Sequence, residues 1–298
     1  MSMDPGARPL QIDDLPGVRL LTPQRVQQAA AARRRPDSLL GATGRLLLVA
    51  ADHPARGALR AGDRAFAMGD RPQLLDRLCT ALSRPGVDGV LGTADVVDDL
   101  MLLGALEGKV VLGSMNRGGL AGTAFEIDDR FTGYSAAAIA TAGLQGGKML
   151  LRIDPADPST SPTLQSCAEA VDALAARELL ALIEPFICES VDGQVRNILT
   201  AEAAVRSATV AAGLGGTSAY TWLKLPVVPE MEQVLAATTL PVVLLGGEVA
   251  VDSAAQRDTW RKALAYPSAV GLVVGRSLLY PPDGDVAAAV DATVELMT

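Results

Sequence analysis

Eight short apolar segments recur along the chain, and this repetition constrains the fold more than any other feature of the sequence. Each segment is rich in Leu and Val and is followed by a stretch with helical spacing. The segments cover residues 45–52, 87–93, 109–115, 148–154, 179–186, 219–226, 241–248 and 270–277. Eight alternating strand–helix units predict an α/β fold, a (β/α)8 TIM barrel. An open doubly wound sheet is the alternative, but no Gly-x-Gly-x-x-Gly motif follows the first segment.

Helix signals follow several of the strand segments. In the clearest of them, residues 161–178, apolar residues recur every three or four positions and form one face. That face consists of Leu164, Cys167, Ala168, Val171, Leu174 and Ala175. Thr93, Thr200 and Asp252 each precede a helical segment, and we expect them to act as N-caps.

The first 43 residues precede the barrel, and residues 44–298 form the barrel domain in this interpretation. Within the N-terminal extension, residues 21–35 predict a short helix that begins at Pro23. The helix ends in three consecutive arginines, residues 33–35. We expect these arginines to be solvated, with phosphate binding as the alternative.

Composition and charge exclude several classes of function. The net charge of −8 argues against nucleic-acid binding, which needs a basic face. The single histidine excludes a His-rich zinc site, and we expect neither a metal nor a cofactor. The three widely spaced cysteines predict free thiols in the cytoplasm. The first residues lack the pattern of a signal peptide, and no apolar run is long enough to cross a membrane.

Active sites of (β/α)8 barrels lie at the C-terminal ends of the strands, so polar residues at those ends are the candidate site residues. They are Asp52, His53, Ser114, Asn116, Arg117, Arg152, Asp154, Glu184, Lys224, Gly246, Gly247, Glu248, Gly275, Arg276 and Ser277. Because side chains alternate between the two faces of a strand, this set can be narrowed further. One consistent assignment directs Asp52, Lys148, Glu184 and Lys224 into the barrel, and the face of Lys224 also carries Trp222 and Tyr220 as a pocket floor.

Lysine is rare in this chain, with four among 26 basic residues. A lysine near the end of the sixth strand segment, Lys224, therefore needs an explanation that arginine does not satisfy. An ammonium in an apolar pocket beside a second cation has a lowered pKa, and the neutral amine can form a Schiff base with a carbonyl. A guanidinium stays protonated. Lys148 is the second cation in this interpretation and also a group that holds a substrate oxygen.

Structural alternatives exist for each of these groups. Asp52 can form a buried ion pair with Arg276 across the barrel seam, and Glu184 can form a structural bridge to Lys224. Lys148 can be a counter-ion below the site. His53 lies next to Asp52 but precedes a proline, so the direction of its side chain is open.

Five motifs, on the first, fourth, fifth, sixth and eighth strand segments, resemble in order those of class I (Schiff-base) aldolases of the DeoC/FbaB/LacD group. The similarity is greatest to tagatose-1,6-bisphosphate aldolases and sulfosugar aldolases. The motifs are AADHPARGAL at 50–59, KMLL at 148–151, LIEPF at 182–186, LKLP at 223–226 and Gly275-Arg276. The chain departs from the pattern in two places. Pro54 and Ala55 are inserted in the first motif, and the seventh strand ends in Gly-Gly-Glu where relatives often place a serine.

The resemblance implies a metal-independent aldolase that cleaves or forms a C–C bond in a phosphorylated or otherwise anionic ketose. It implies that Lys224 forms the Schiff base and that Glu184 carries protons. In the same scheme Asp52 orients or deprotonates the reacting hydroxyl, and Lys148 supports the amine. The expected substrate- and phosphate-binding residues are Arg276, Gly275, Gly246, Gly247, Arg56, His53, Arg152 and Ser114.

The sequence is compatible with several alternatives. A likeness to actinobacterial barrel proteins of inositol catabolism implies 2-deoxy-5-keto-gluconate 6-phosphate as one possible substrate. Two other functions are compatible with the sequence. One is a sugar-phosphate sensor or scaffold without turnover, and the other is a Schiff-base transaldolase or dehydratase. The loop at 114–135 is expected to cover the site or to form a subunit contact. We expect a homo-oligomer that binds a small anionic sugar.

Overall fold

The computed structural model describes residues 9–250 and 252–298 and contains a closed barrel of eight parallel strands. The strands are β1 (Leu46–Ala50), β2 (Gly89–Gly92), β3 (Val110–Ser114), β4 (Gly146–Ile153), β5 (Leu180–Val191), β6 (Gln194–Asn197), β7 (Thr221–Leu225), β8 (Val242–Leu245) and β9 (Ala269–Val274). All except β6 form the barrel, in the order β4-β3-β2-β1-β9-β8-β7-β5, and the pairing of β4 with β5 closes it. The predicted (β/α)8 TIM barrel is confirmed.

Helices surround the barrel, and most of them lie in the connections between consecutive parallel strands. They are α1 (Leu15–Leu21), α2 (Gln24–Ala32), α3 (Arg71–Ser83), α4 (Ala94–Leu102), α5 (Ala136–Thr141), α6 (Thr160–Ala175), α7 (Ala201–Ala212), α8 (Met231–Ala236), α9 (Ser253–Leu264), α10 (Arg276–Leu279) and α11 (Val286–Val294). Short 3-10 turns lie at Ile12–Asp14, Pro54–Arg56, Ala67–Gly69 and Glu295–Met297. Within the described ranges, no helix combines the length and the apolar character that crossing a bilayer requires.

Alternate side chains of β1 belong to the two hydrophobic cores of the barrel. Leu47 and Val49 point outward into the layer between strands and helices, whereas Leu46 and Leu48 belong to the barrel interior. Trp222 of β7 packs against the same interior cluster, as predicted for a residue beneath Lys224. The interior is therefore filled with apolar side chains up to the level at which the polar groups begin.

Two of the three predicted N-caps form the expected hydrogen bonds. The side chain of Thr200 accepts from the backbone of Ala203, and that of Asp252 accepts from Ala254 and Ala255. Thr93 precedes α4 as predicted, but its hydroxyl donates to Asp95 Oδ1 at 2.5 Å and makes no cap hydrogen bond.

The N-terminal extension is attached to the barrel through Arg33, which is buried rather than solvated. Its guanidinium donates to the carbonyl oxygens of Lys109 at 2.9 Å and Gly143 at 2.7 Å, and more weakly to that of Leu106 at 3.4 Å. Leu106 and Gly143 follow the ends of α4 and α5, where backbone carbonyls lack helical partners and attract cations. The prediction of a solvated residue is wrong for Arg33, because these carbonyls need a donor.

A hairpin above the barrel rim was not predicted. The strand β5 continues past Glu184 to Val191 and pairs antiparallel with β6, so that Cys188 lies opposite Asn197. Asp192 and Gly193, the turn residues, both have positive φ angles, of 52° and 74°. A two-residue hairpin turn requires this conformation, which glycine and aspartate adopt most readily. The hairpin places Asn197 and Leu199 at the mouth of the barrel.

Candidate active site

A cavity of about 490 Å³ opens at the C-terminal ends of the barrel strands. Most of the predicted site residues line it. They are Asp52, His53, Arg56, Lys148, Arg152, Glu184, Lys224, Gly246, Gly247, Gly275 and Arg276. Ser114 lies behind the wall, fully buried against Asp52. The strand-end rule thus brings this predicted set into one place.

A chain of ion pairs crosses the floor of the cavity. The Nζ atom of Lys224 lies 2.8 Å from Glu184 Oε1, and Lys148 Nζ pairs with the other carboxylate oxygen of Glu184. Lys148 Nζ is also 3.2 Å from Asp52 Oδ2. The four groups predicted to face the interior therefore form a single chain of alternating charge, Asp52–Lys148–Glu184–Lys224.

Strand register explains this arrangement. Leu182 is level with Lys148 on one side and with Trp222 on the other. Glu184, two residues further along β5, therefore lies one layer above Lys148 and level with Lys224. The carboxylate can reach one amine beside it and one below it.

The environment of the amine differs from the predicted apolar pocket. Lys224 is almost fully buried, but its nitrogen contacts a carboxylate rather than only apolar groups. Burial alone would raise the pKa of Glu184, yet the ammonium groups of Lys148 and Lys224 bring it below its ordinary value. Burial lowers the pKa of Lys148, and the nearby Asp52 and Glu184 carboxylates oppose that effect.

Asp52 is held by three donors. Its Oδ2 atom accepts from Arg117 Nη2 at 2.7 Å, from Ser114 Oγ at 3.1 Å and from Lys148 Nζ at 3.2 Å. Burial acts to raise the pKa of Asp52, but Arg117 and Lys148 hold it well below its ordinary value. The alternative pairing of Asp52 with Arg276 is wrong, because Arg117 from the loop after β3 takes that position.

His53 turns its ring toward the cavity wall beside Asp52. Its Nδ1 atom is 3.9 Å from Asp52 Oδ1, too far for a hydrogen bond, and has no hydrogen-bond partner among the described residues. The ring packs on the backbone of Gly275, where a Cβ atom would lie 2.7 Å from His53 Cε1. Burial lowers the pKa of His53 to about 3, so the imidazole is neutral.

Two of the predicted anion-binding arginines hold the loop at 115–135. Arg56 donates to the carbonyl oxygens of Gly119 at 2.8 Å and Asn116 at 2.7 Å, and it pairs with Asp129. Arg152 Nη2 lies 2.8 Å from Glu126 Oε1. Both guanidinium groups line the cavity, but their charges are balanced by carboxylates of the loop.

Arg276 occupies the opposite side of the cavity, at the end of β9. Its Nη1 atom is 2.7 Å from Oε1 of Glu248, which follows Gly246 and Gly247 at the end of β8. The predicted anion-binding guanidinium is thus paired with a carboxylate of the same chain. No cluster of three or more His, Cys, Asp and Glu side chains within residues 9–250 and 252–298 is arranged to hold a metal ion.

A closed parallel barrel with two buried lysines and two buried carboxylates at the cavity above its strand ends defines a (β/α)8 protein with a charged pocket at that end. The chain belongs to the Cgl0159-like family, whose model matches residues 44–294. It is similar to the crystal structure of Cgl0159 from Corynebacterium glutamicum. The identity is 50%, the TM-score is 0.94, and the match covers 97% of this chain and 99% of that one.

More distant structures share the fold. A Schiff base-forming fructose-1,6-bisphosphate aldolase has a TM-score of 0.65 at 16% identity, with coverage of 92% of this chain and all 100% of that one. An archaeal fructose-1,6-bisphosphate aldolase, described with its catalytic lysine covalently bound to the carbinolamine intermediate, has a TM-score of 0.64 at 16% identity. That match covers 91% of this chain and 99% of the other. No functionally curated protein matched by sequence.

Proposed function

We propose that this protein is a class I, metal-independent aldolase that acts on a phosphorylated or otherwise anionic ketose. One observation carries the proposal. Lys224, at the end of the sixth barrel strand, presents a nearly buried Nζ to the cavity 2.8 Å from a carboxylate. A lysine amine with an adjacent proton carrier is the arrangement that Schiff-base formation requires.

Glu184 is suited to carry the protons of this reaction. Transfer of a proton from the Lys224 ammonium to Glu184 frees the amine to attack the ketone carbon and form a carbinolamine. Return of that proton to the carbinolamine hydroxyl allows water to leave, and the nitrogen lone pair forms the iminium. Lys148, bound to the second oxygen of Glu184, keeps the carboxylate aligned during both transfers.

Carbon–carbon cleavage then uses the iminium as an electron sink. Glu184, a carboxylate again after dehydration, accepts the hydroxyl proton next to the scissile bond, the bond electrons move toward the iminium nitrogen, and an aldehyde leaves. Glu184 returns this proton to the enamine carbon, and hydrolysis of the resulting iminium releases the ketone product and regenerates the lysine. Three donors fix the position of the Asp52 carboxylate, so we assign Asp52 the role of orienting the reacting hydroxyl.

The structural comparisons support the proposal at the level of fold, since the neighbouring aldolases use a Schiff base on a similar barrel. The motif resemblance supports it at the level of residues. Among candidate substrates, 2-deoxy-5-keto-gluconate 6-phosphate and ketose bisphosphates satisfy the expected chemistry of an anionic ketose.

Borohydride trapping tests the mechanism. The wild-type protein is incubated with dihydroxyacetone phosphate and with a panel of phosphorylated and unphosphorylated ketoses, reduced, digested and mapped by mass spectrometry. We expect one adduct on the peptide that contains Lys224. Lys224→Arg should remove it, because a guanidinium retains the charge but forms no imine. The control Lys262→Arg changes an exposed lysine and should leave it intact.

Two results would overturn the proposal. One is an adduct that persists in Lys224→Arg. The other is the absence of any adduct with a ligand that clearly raises the melting temperature of the wild-type protein, which would favour a sugar-phosphate sensor.

A further inference from the structure

Within the described ranges, four arginines line the cavity, and they differ in the exposure of their carboxylate partners. Three pair with buried carboxylates: Arg56 with Asp129, Arg117 with Asp52 and Arg152 with Glu126. Separating such a pair leaves an uncompensated buried charge and is strongly unfavourable. These three guanidinium groups are therefore fixed to their partners, and a ligand cannot easily recruit them.

Arg276 has a partner of a different kind. Its own side chain is 18% exposed, whereas that of Glu248 is 71% exposed. An ion pair with a solvated carboxylate contributes little, because water replaces the lost contact when the pair separates. Among the arginines of this cavity, Arg276 is thus the one whose carboxylate can be exchanged for an anion from solution at small cost.

Hydrogen bonds hold the backbone around Glu248, whereas its side chain lies mostly in solvent. Gln256 Nε2 donates to the carbonyl oxygens of Gly246 at 2.8 Å and Glu248 at 3.2 Å. Gly247 has a φ angle of 72°, a conformation that favours glycine and fixes the turn. Exchange at Arg276 therefore needs only a rotation of the Glu248 side chain toward solvent, not a movement of the loop.

We propose that Glu248 is a specificity-determining residue, an internal anion that occupies Arg276 and competes with the anionic end of the substrate. The inference rests on the proposed function, because it assumes that the cavity takes an anionic ketose. The inference adds how the anionic end of the substrate is bound. A phosphate or carboxylate replaces Glu248 on Arg276, and the displaced carboxylate weakens binding both by competition and by repulsion from the mouth of the cavity.

Binding of inorganic phosphate to the intact protein tests the inference without turnover. In isothermal titration calorimetry at low ionic strength, Glu248→Gln should bind phosphate about fivefold more tightly than wild type. Loss of one competing, exposed carboxylate changes the dissociation constant by roughly that factor. Arg276→Gln should lose the binding. Glu202→Gln removes the same charge from another exposed ion pair, with Arg206 on α7 outside the cavity, and should match wild type.

Equal or weaker phosphate binding by Glu248→Gln overturns the inference, as does binding that survives in Arg276→Gln. Circular dichroism of each variant establishes that it is folded. Borohydride trapping separates the two proposals, because Glu248 takes no part in imine formation. If trapping at Lys224 fails while Glu248→Gln still tightens phosphate binding, then the aldolase assignment fails and the competition at Arg276 stands.

Discussion

His53 is the only histidine of the chain, so its ionisation can be measured without interference from another imidazole. Burial lowers the pKa of His53 from 6.5 to about 3. Asp52 and Glu184 act in the opposite direction, and Arg276 and Lys224 add to the effect of burial. We predict that the folded protein keeps this ring neutral at mildly acidic pH and loses stability there for that reason.

The size of the effect follows from proton linkage. Below pH 6.5 the unfolded chain binds a proton on His53 that the folded protein does not bind, so stability falls as the pH falls, down to about pH 3. With these two pKa values, lowering the pH from 7 to 5 costs about 2 kcal/mol of unfolding free energy. His53→Gln has no such proton to bind and should lack this component.

Urea unfolding at both pH values measures the difference. The decrease in unfolding free energy between pH 7 and pH 5 should be about 2 kcal/mol larger for wild type than for His53→Gln. Carboxylates contribute equally to the two proteins and cancel in the comparison. A proton NMR titration gives an independent check, with one imidazole signal that does not shift between pH 8 and pH 5. The reasoning would be refuted if the imidazole titrated with a midpoint near pH 6.5 and if the unfolding free energy of the two proteins decreased equally.

Two further predictions concern buried arginines outside the proposed chemistry. Arg33→Met should lower the unfolding free energy by about 3 kcal/mol in urea titrations, because the buried carbonyls lose their charged donor. The control is Arg35→Met, which changes an exposed arginine and should alter the unfolding free energy little. Asp129→Asn should cost about 3 kcal/mol because it leaves Arg56 without its buried partner. Its neighbour Asp128, in an exposed pair, is the control, and an equal loss in Asp128→Asn would contradict the prediction.

The barrel could be predicted because its signals are local. A strand buried on both faces forms a short apolar run, and the helical spacing after each run indicates the covering helix. The same alternation correctly directed Asp52, Lys148, Glu184 and Lys224 to one interior. Strand register adds what alternation alone lacks, namely that Glu184 is level with Lys224 and one layer above Lys148.

The remaining features depend on contacts between distant segments. The partner of Asp52 is Arg117, 65 residues away in a loop whose path no periodicity specifies. Arg33 is buried because helix ends far along the chain present carbonyls to it. The hairpin at 192–193 is different, since Asp-Gly between two β-rich runs is a strong local signal and could have been recognised from the sequence.

The bridge between Glu184 and Lys224 was one of the structural alternatives to catalysis, but the two roles are compatible. An ammonium and an iminium carry the same charge, and their interconversion with a ketone releases only water. Glu184 can therefore balance Lys224 before and after condensation, which matters because an unpaired buried charge is costly. A purely structural bridge would work equally well with arginine. Lys224→Arg should thus keep the protein folded while it abolishes imine trapping, and that combination separates the structural role from the chemical one.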